Sequence, residues 1–84
     1  MDNDLRRKYD EAFRECFLLD HSDDLSILAY QSIEAWDSVG HMSLVGMLEE
    51  SFSVLLEMDD IIDFSSYEKG VSILQKYGVH LTAE

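Results

Sequence analysis

Proline is absent from the 84-residue sequence, cysteine occurs once and glycine only four times. With no proline, no position is closed to a helix by a missing N–H. The lone Cys16 excludes an internal disulfide and a cysteine-based zinc site, and it fits a reducing cytoplasm. No apolar run approaches the roughly 20 residues that a membrane-spanning helix needs. The opening "MDNDLRRKYDE" carries charges where a signal peptide would have its apolar region. A cytoplasmic protein without membrane insertion is therefore expected. Basic side chains are also scarce: 6 Lys and Arg stand against 18 Asp and Glu, for a formal net charge of −12. Arg6, Arg7, Lys8 and Arg14 come early and the next is Lys69, so thirteen Asp and Glu residues lie between Arg14 and Lys69 with no Lys or Arg among them in the chain. Such a surface repels nucleic acid and anionic lipid, and it attracts basic patches on protein partners.

What the sequence does contain is apolar and helix-compatible. A hydrophobic fraction of 46% separates it from a disordered acidic tail. Its length suits one small domain, residues 1–84, with a single modest core. Residues 3–17 place Leu5, Tyr9, Ala12, Phe13, Cys16 and Phe17 on one stripe of an amphipathic helix, with Asp2 to Asp4 as cap candidates. Residues 18–36 show no clean period. They read as a long loop pinned to the helices by Leu25, Ile27 or Leu28, Tyr30, Ile33 and Trp36, with a short helical turn near Leu25 to Tyr30.

A second helix is predicted over 38–54, with Val39, Met42, Leu44 or Val45, Leu48 and Phe52 inward and Glu49 and Glu50 outward. "LLEMDDIIDF" offers a short third helix that starts at Asp59 and Asp60 and faces Ile61, Ile62 and Phe64 inward. Ser65 or Ser66 then caps a fourth, with Tyr67, Gly70, Val71 and Leu74 as its stripe, Lys76 in its last turn and Gly78 at C′. The expected fold is all-α: a four-helix bundle of three main helices and a short third one, with a long loop between the first two.

Three constellations could carry chemistry. "DHSDDLSILAYQ" sets Asp20, Ser22 and Asp24 at calcium-loop spacing, but Leu25 stands where the loop needs glycine and Gln31 where it needs glutamate. No metal site is expected. Ser38, His41 and Asp37 mimic a hydrolytic triad, yet Asp37 is badly placed to orient His41 and no glycine-flanked nucleophile elbow surrounds the serine. The third reading makes Ser38 an attachment point, since a helix start offers unpaired N–H groups and partial positive charge to a phosphate diester. Asp37 would then be the cap. Three residues on from Asp37 and Ser38 stand Gly40 and His41, so neither completes a capping box. The residues alone leave Ser38 open between cap and attachment site.

"WDSVGHMSLVGMLEESFSVLLEMDDIIDFSSYEKGVSILQKYGV", roughly residues 33–78, resembles the acyl carrier protein family of phosphopantetheine-binding domains. The resemblance lies in the ordered set: Asp-Ser at 37–38, Leu-Glu-Glu-x-Phe at 48–52, Asp-Asp-Ile at 59–61, then a serine-capped helix. Val39 stands where the family usually has leucine. The resemblance implies a non-catalytic carrier. Ser38 would hold 4′-phosphopantetheine, transferred from coenzyme A by a phosphopantetheinyl transferase that uses magnesium, with Asp37 as the helix cap beside it. The arm's thiol would carry an acyl or aminoacyl group as a thioester from a loading ligase to a downstream acyltransferase or synthase. The carrier would work as a monomer.

Partner docking is expected at Val39, Gly40, His41, Ser43, Glu49, Glu50, Asp59 and Asp60. Gly40, His41 and Ser43 replace the acids that carriers of fatty acid synthesis tend to show early in this helix, which points to a specialised discrete carrier. An acyl pocket would fall near Leu48, Phe64, Gly70 and Leu74, with Phe64 filling room that a long chain would need. The alternative is a small acidic helical adaptor that binds a protein partner without modification.

Overall fold

The computed structural model describes residues 4–81, so Asp2 and Asn3, named as cap candidates, lie outside the described residues. Among the described residues four α-helices follow one another: α1, Asp4–Phe17; α2, Ser38–Phe52; α3, Met58–Asp63; and α4, Tyr67–Gln75. No strand joins them among the described residues. This is the expected all-α bundle of three main helices and a short third.

α1 forms because its apolar positions recur at helical spacing, and it buries Tyr9, Ala12, Phe13 and Phe17. It ends where Leu18 turns left-handed, at φ 56°, while Leu19 N–H reaches back to the Arg14 carbonyl. α4 starts on Ser66, whose Oγ accepts from Lys69 N at 3.0 Å. It ends in a Schellman turn: Gly78, at φ 84°, donates to Gln75 and Val79 donates to Leu74. The positive φ is why glycine suits that position.

The long loop is tied down rather than free. A 3₁₀ turn, Leu25–Ile27, is capped by Asp24, and Ala29 pairs with Ser66 in an isolated antiparallel bridge. Tyr30 N donates to Ser65 O and Tyr67 N to Leu28 O, so the loop is fastened to the entrance of α4. Leu25, Leu28 and Trp36 are its buried pins, whereas Ile27 points to solvent. Asp24, which stands at calcium-loop spacing, is engaged with the backbone and hydroxyl of Ser26.

The core is rich in aromatic rings. Trp36, Tyr9, Phe13 and Phe64 are fully buried and meet edge-on or tilted, with Phe13 central to the set. Tyr9 donates to the Tyr67 carbonyl, and Tyr67 is held in turn by Asp10 and Arg6. Burial pushes the Tyr67 phenol up to about 12.

Three expectations about facing are corrected. Val39 and Met42 do not face in: they are 74% and 54% exposed, and the buried face of α2 is Leu44, Val45 and Leu48. α2 is apolar on more than one side, so its pattern could not say which side α1 would cover. Ile62 likewise points out, while Asp60 points in. On α4, Tyr67, Gly70 and Leu74 are buried as expected, but Ile73 is buried with them where Val71 was expected, and Val71 is only half-buried.

Candidate functional site: the entrance to the second helix

Asp37 is the cap of α2. Its φ and ψ of −99° and −168° are extended, and its Oδ1 accepts from Gly40 N at 2.8 Å. Its carbonyl accepts from His41 N. Ser38 is left as the first helical residue, exposed and free of the capping role. The N–H groups of Ser38 and Val39 have no acceptor within the helix, as for any first turn.

Gly40 lets this turn sit against the preceding loop. A Cβ there would lie 2.0 Å from the Ala35 carbonyl oxygen and 3.3 Å from Phe17. His41 then locks the turn from within. Its Nδ1 accepts from the Trp36 indole N–H at 3.0 Å, so its Nε2–H donates to the Ile61 carbonyl at 2.8 Å. The ring stacks on Trp36 and stands edge-on to Phe64. Neither ring nitrogen is turned towards Ser38, and Asp37 is occupied by Gly40, so the triad-like trio is not assembled.

Between the start of α2 and α3 runs an open, largely apolar groove of about 350 Å³. Met42, Met58, Ile61 and Ile62 line it, Tyr30 and Ser65 border it, and Ser38 stands at its rim. His41 and Phe64 form its floor, being half-buried and fully buried. Met42, Met58 and Ile62 leave more than half of their surface to solvent there.

α3, the far wall, is anchored by a buried acid. Asp60 accepts from Lys76 Nζ at 2.6 Å and from the Tyr77 hydroxyl at 2.5 Å. Tyr77 Oη also accepts from Glu57 N. The Lys76 ammonium and the Tyr77 hydroxyl hold the Asp60 carboxyl below the usual carboxylate range, and Asp60 raises Lys76 in return. The sequence offered no sign of this cluster, because sixteen residues separate Asp60 from Lys76. The Trp36–His41–Ile61 relay was equally hidden.

The residues proposed for docking divide by exposure. Val39, Ser43, Glu50 and Asp59 are exposed, but Glu50 lies near the far end of α2, beside Glu11 and Glu15 of α1 and away from the groove. Gly40, His41, Glu49 and Asp60 are engaged internally; Glu49, expected to point outward, accepts from Leu56 N and is half-buried. Leu48, Phe64, Gly70 and Leu74, proposed for an acyl pocket, are all buried in the core. A Cβ on Gly70 would meet Phe64 Cζ and Tyr9 Oη at 2.3 Å, so the space before that glycine is filled. Of the four, only Phe64 reaches the groove.

Among the described residues, no group of three or more His, Cys, Asp or Glu side chains could hold a metal ion. No described helix is long and apolar enough to cross a membrane. Comparison with family models, curated proteins and solved structures returned no match.

Proposed function

We propose that the protein is an acyl carrier, with a 4′-phosphopantetheine arm esterified to Ser38 and an acyl or aminoacyl group borne on the arm's thiol. The observation that carries this reading is the division of labour at the α2 entrance. Asp37 caps the helix through Gly40 N, which frees the exposed Ser38 hydroxyl at the rim of an apolar groove. A phosphate diester on that hydroxyl would sit at the positive end of the α2 dipole, beside N–H groups with no helical partner. The arm supplies the thioester chemistry; the chain supplies an ordered attachment point and a surface that partners can read.

That surface combines apolar and acidic features. Val39, Met42 and Met58 are exposed beside Ser38 or its groove, with Glu50, Asp59 and Asp63 on the same two helices. A transferase, a loading ligase and a downstream acyltransferase or synthase would approach with basic patches around an apolar centre, an arrangement that favours fast, transient encounter. The same surface also suits an unmodified acidic adaptor, the second reading.

Incubation with coenzyme A, magnesium and a broad-specificity phosphopantetheinyl transferase separates the two. The intact chain is expected to gain the mass of one arm, and Ser38→Ala to gain none. A wild-type chain left unmodified by several such transferases would favour the adaptor.

A further inference from the structure

Phe64 lines the groove and is nevertheless fully buried. It does both by standing between the groove and the interior. Behind it lies Gly70, where even a single Cβ would approach Phe64 Cζ to 2.3 Å. The phenyl ring thus fills the room that the glycine leaves, and it separates the groove from the site of Gly70.

His41 extends this barrier along the groove floor. Its ring centre is 6.0 Å from that of Phe64 and 6.2 Å from that of Trp36. Hydrogen bonds fix both ring nitrogens, one to a buried indole and one to the α3 backbone. Swinging the imidazole aside would leave the Trp36 N–H buried without an acceptor, which is strongly disfavoured. Trp36 itself packs on Phe13 and Phe17, so the barrier has aromatic backing.

We propose that Phe64 and His41 are specificity-determining residues. They shut the interior to whatever is attached at Ser38 and confine the cargo to short acyl or aminoacyl groups lying in the open groove. This inference rests on the carrier reading of Ser38. At about 350 Å³ the groove is at the small end of ligand sites, which run from roughly 300 to 1,000 Å³. Part of that volume goes to the arm itself. A long alkyl chain would leave most of its methylenes in water and gain little from burial.

The test loads the full chain directly, by giving the transferase acetyl-, butyryl- or dodecanoyl-coenzyme A, and follows thioester cleavage by hydroxylamine together with backbone amide shifts. For the wild type, cleavage rates are expected to agree within about twofold across the three lengths, because none of the chains is sequestered. Amide shifts should gather at Met42, Met58, Ile61 and Ile62. Phe64→Ala should slow cleavage of the dodecanoyl form about tenfold, the protection of a chain buried nine-tenths of the time. Phe64→Leu serves as the milder variant if the alanine form does not fold.

A wild-type dodecanoyl thioester protected about tenfold, with shifts at Leu48, Gly70 and Leu74, would overturn the inference and leave the carrier reading standing. Folded Phe64 variants that protect no better than wild type would overturn the part given to Phe64. Failure of any acyl-arm to attach refutes the carrier reading and this inference with it.

Discussion

Replacing His41 by alanine should loosen α3 before it affects the rest of the molecule. The magnitude follows from three losses. The Trp36 indole N–H, on a fully buried side chain, loses its acceptor, which costs about 1–3 kcal/mol. The Ile61 carbonyl loses a donor at 2.8 Å but keeps a weaker one, Phe64 N at 3.3 Å, so about 0.5–1.5 kcal/mol is expected there. The ring contacts with Trp36 and Phe64 add about 0.5–1.5 kcal/mol. The sum is roughly 2–6 kcal/mol, a large share of the roughly 5–15 kcal/mol typical of a native domain.

Urea denaturation followed by Trp36 fluorescence measures the total. Amide hydrogen exchange shows where the loss falls, with residues 58–63 opening well before α1 and α4. His41→Phe keeps the ring but not the hydrogen bonds, and it should recover only the ring-contact share. A loss below about 1 kcal/mol for His41→Ala, with α3 protection unchanged, would refute the relay as a structural tie.

Asp37→Ala should cost about 1 kcal/mol by removing the α2 cap, whereas Ser38→Ala should stay within about 0.5 kcal/mol; equal losses in thermal unfolding would make Ser38 part of the cap. Gly46, exposed in mid-helix with open space at its Cβ position, should stabilise the fold by about 0.5–1 kcal/mol when changed to alanine. Gly40→Ala should instead destabilise by at least about 1–3 kcal/mol, since its Cβ would lie 2.0 Å from a backbone oxygen; a melting temperature that did not fall would contradict the packing. Because the folded Asp60 carboxyl lies below its unfolded value, its contribution is complete above about pH 4 and is lost as pH falls through the lower folded pKa. Asp60→Asn should therefore flatten the acid limb of a stability–pH curve, and an unchanged limb would count against the Lys76 pair.

The two surfaces of α2 explain how the proposed carrier could meet several partners without sacrificing its core. Leu44, Val45 and Leu48 hold the helix to α1, while Val39 and Met42 remain in solvent beside Ser38. Exposed apolar side chains gathered at one end are the kind of patch that marks an interaction site. Exposed acids on α3, Asp59 and Asp63, would bias encounter towards basic partners under the carrier reading.

Much of this was written locally. The stripe of Tyr9, Phe13 and Phe17, the serine before α4 and the glycine after it act through periodicity and capping, which short stretches of sequence encode. The pairing of Asp37 with Gly40 N is equally local, but the residues alone left Asp37 and Ser38 as rival caps, and the fold shows that Asp37 takes the role. Which side of α2 turns inward was not encoded that way. Val39 and Met42 are as apolar as the residues that are buried, and only the placement of α1 decides between them. Asp60 reads as one more surface acid until Lys76 and Tyr77 are folded against it. His41 looks like the open face of a helix start until Trp36 and Ile61 close on either side of it. The sequence by itself determined the helices, their ends and the candidate serine, through forces that act within a turn or two. The groove beside that serine and the aromatic floor beneath it exist only because helices distant in the chain meet there.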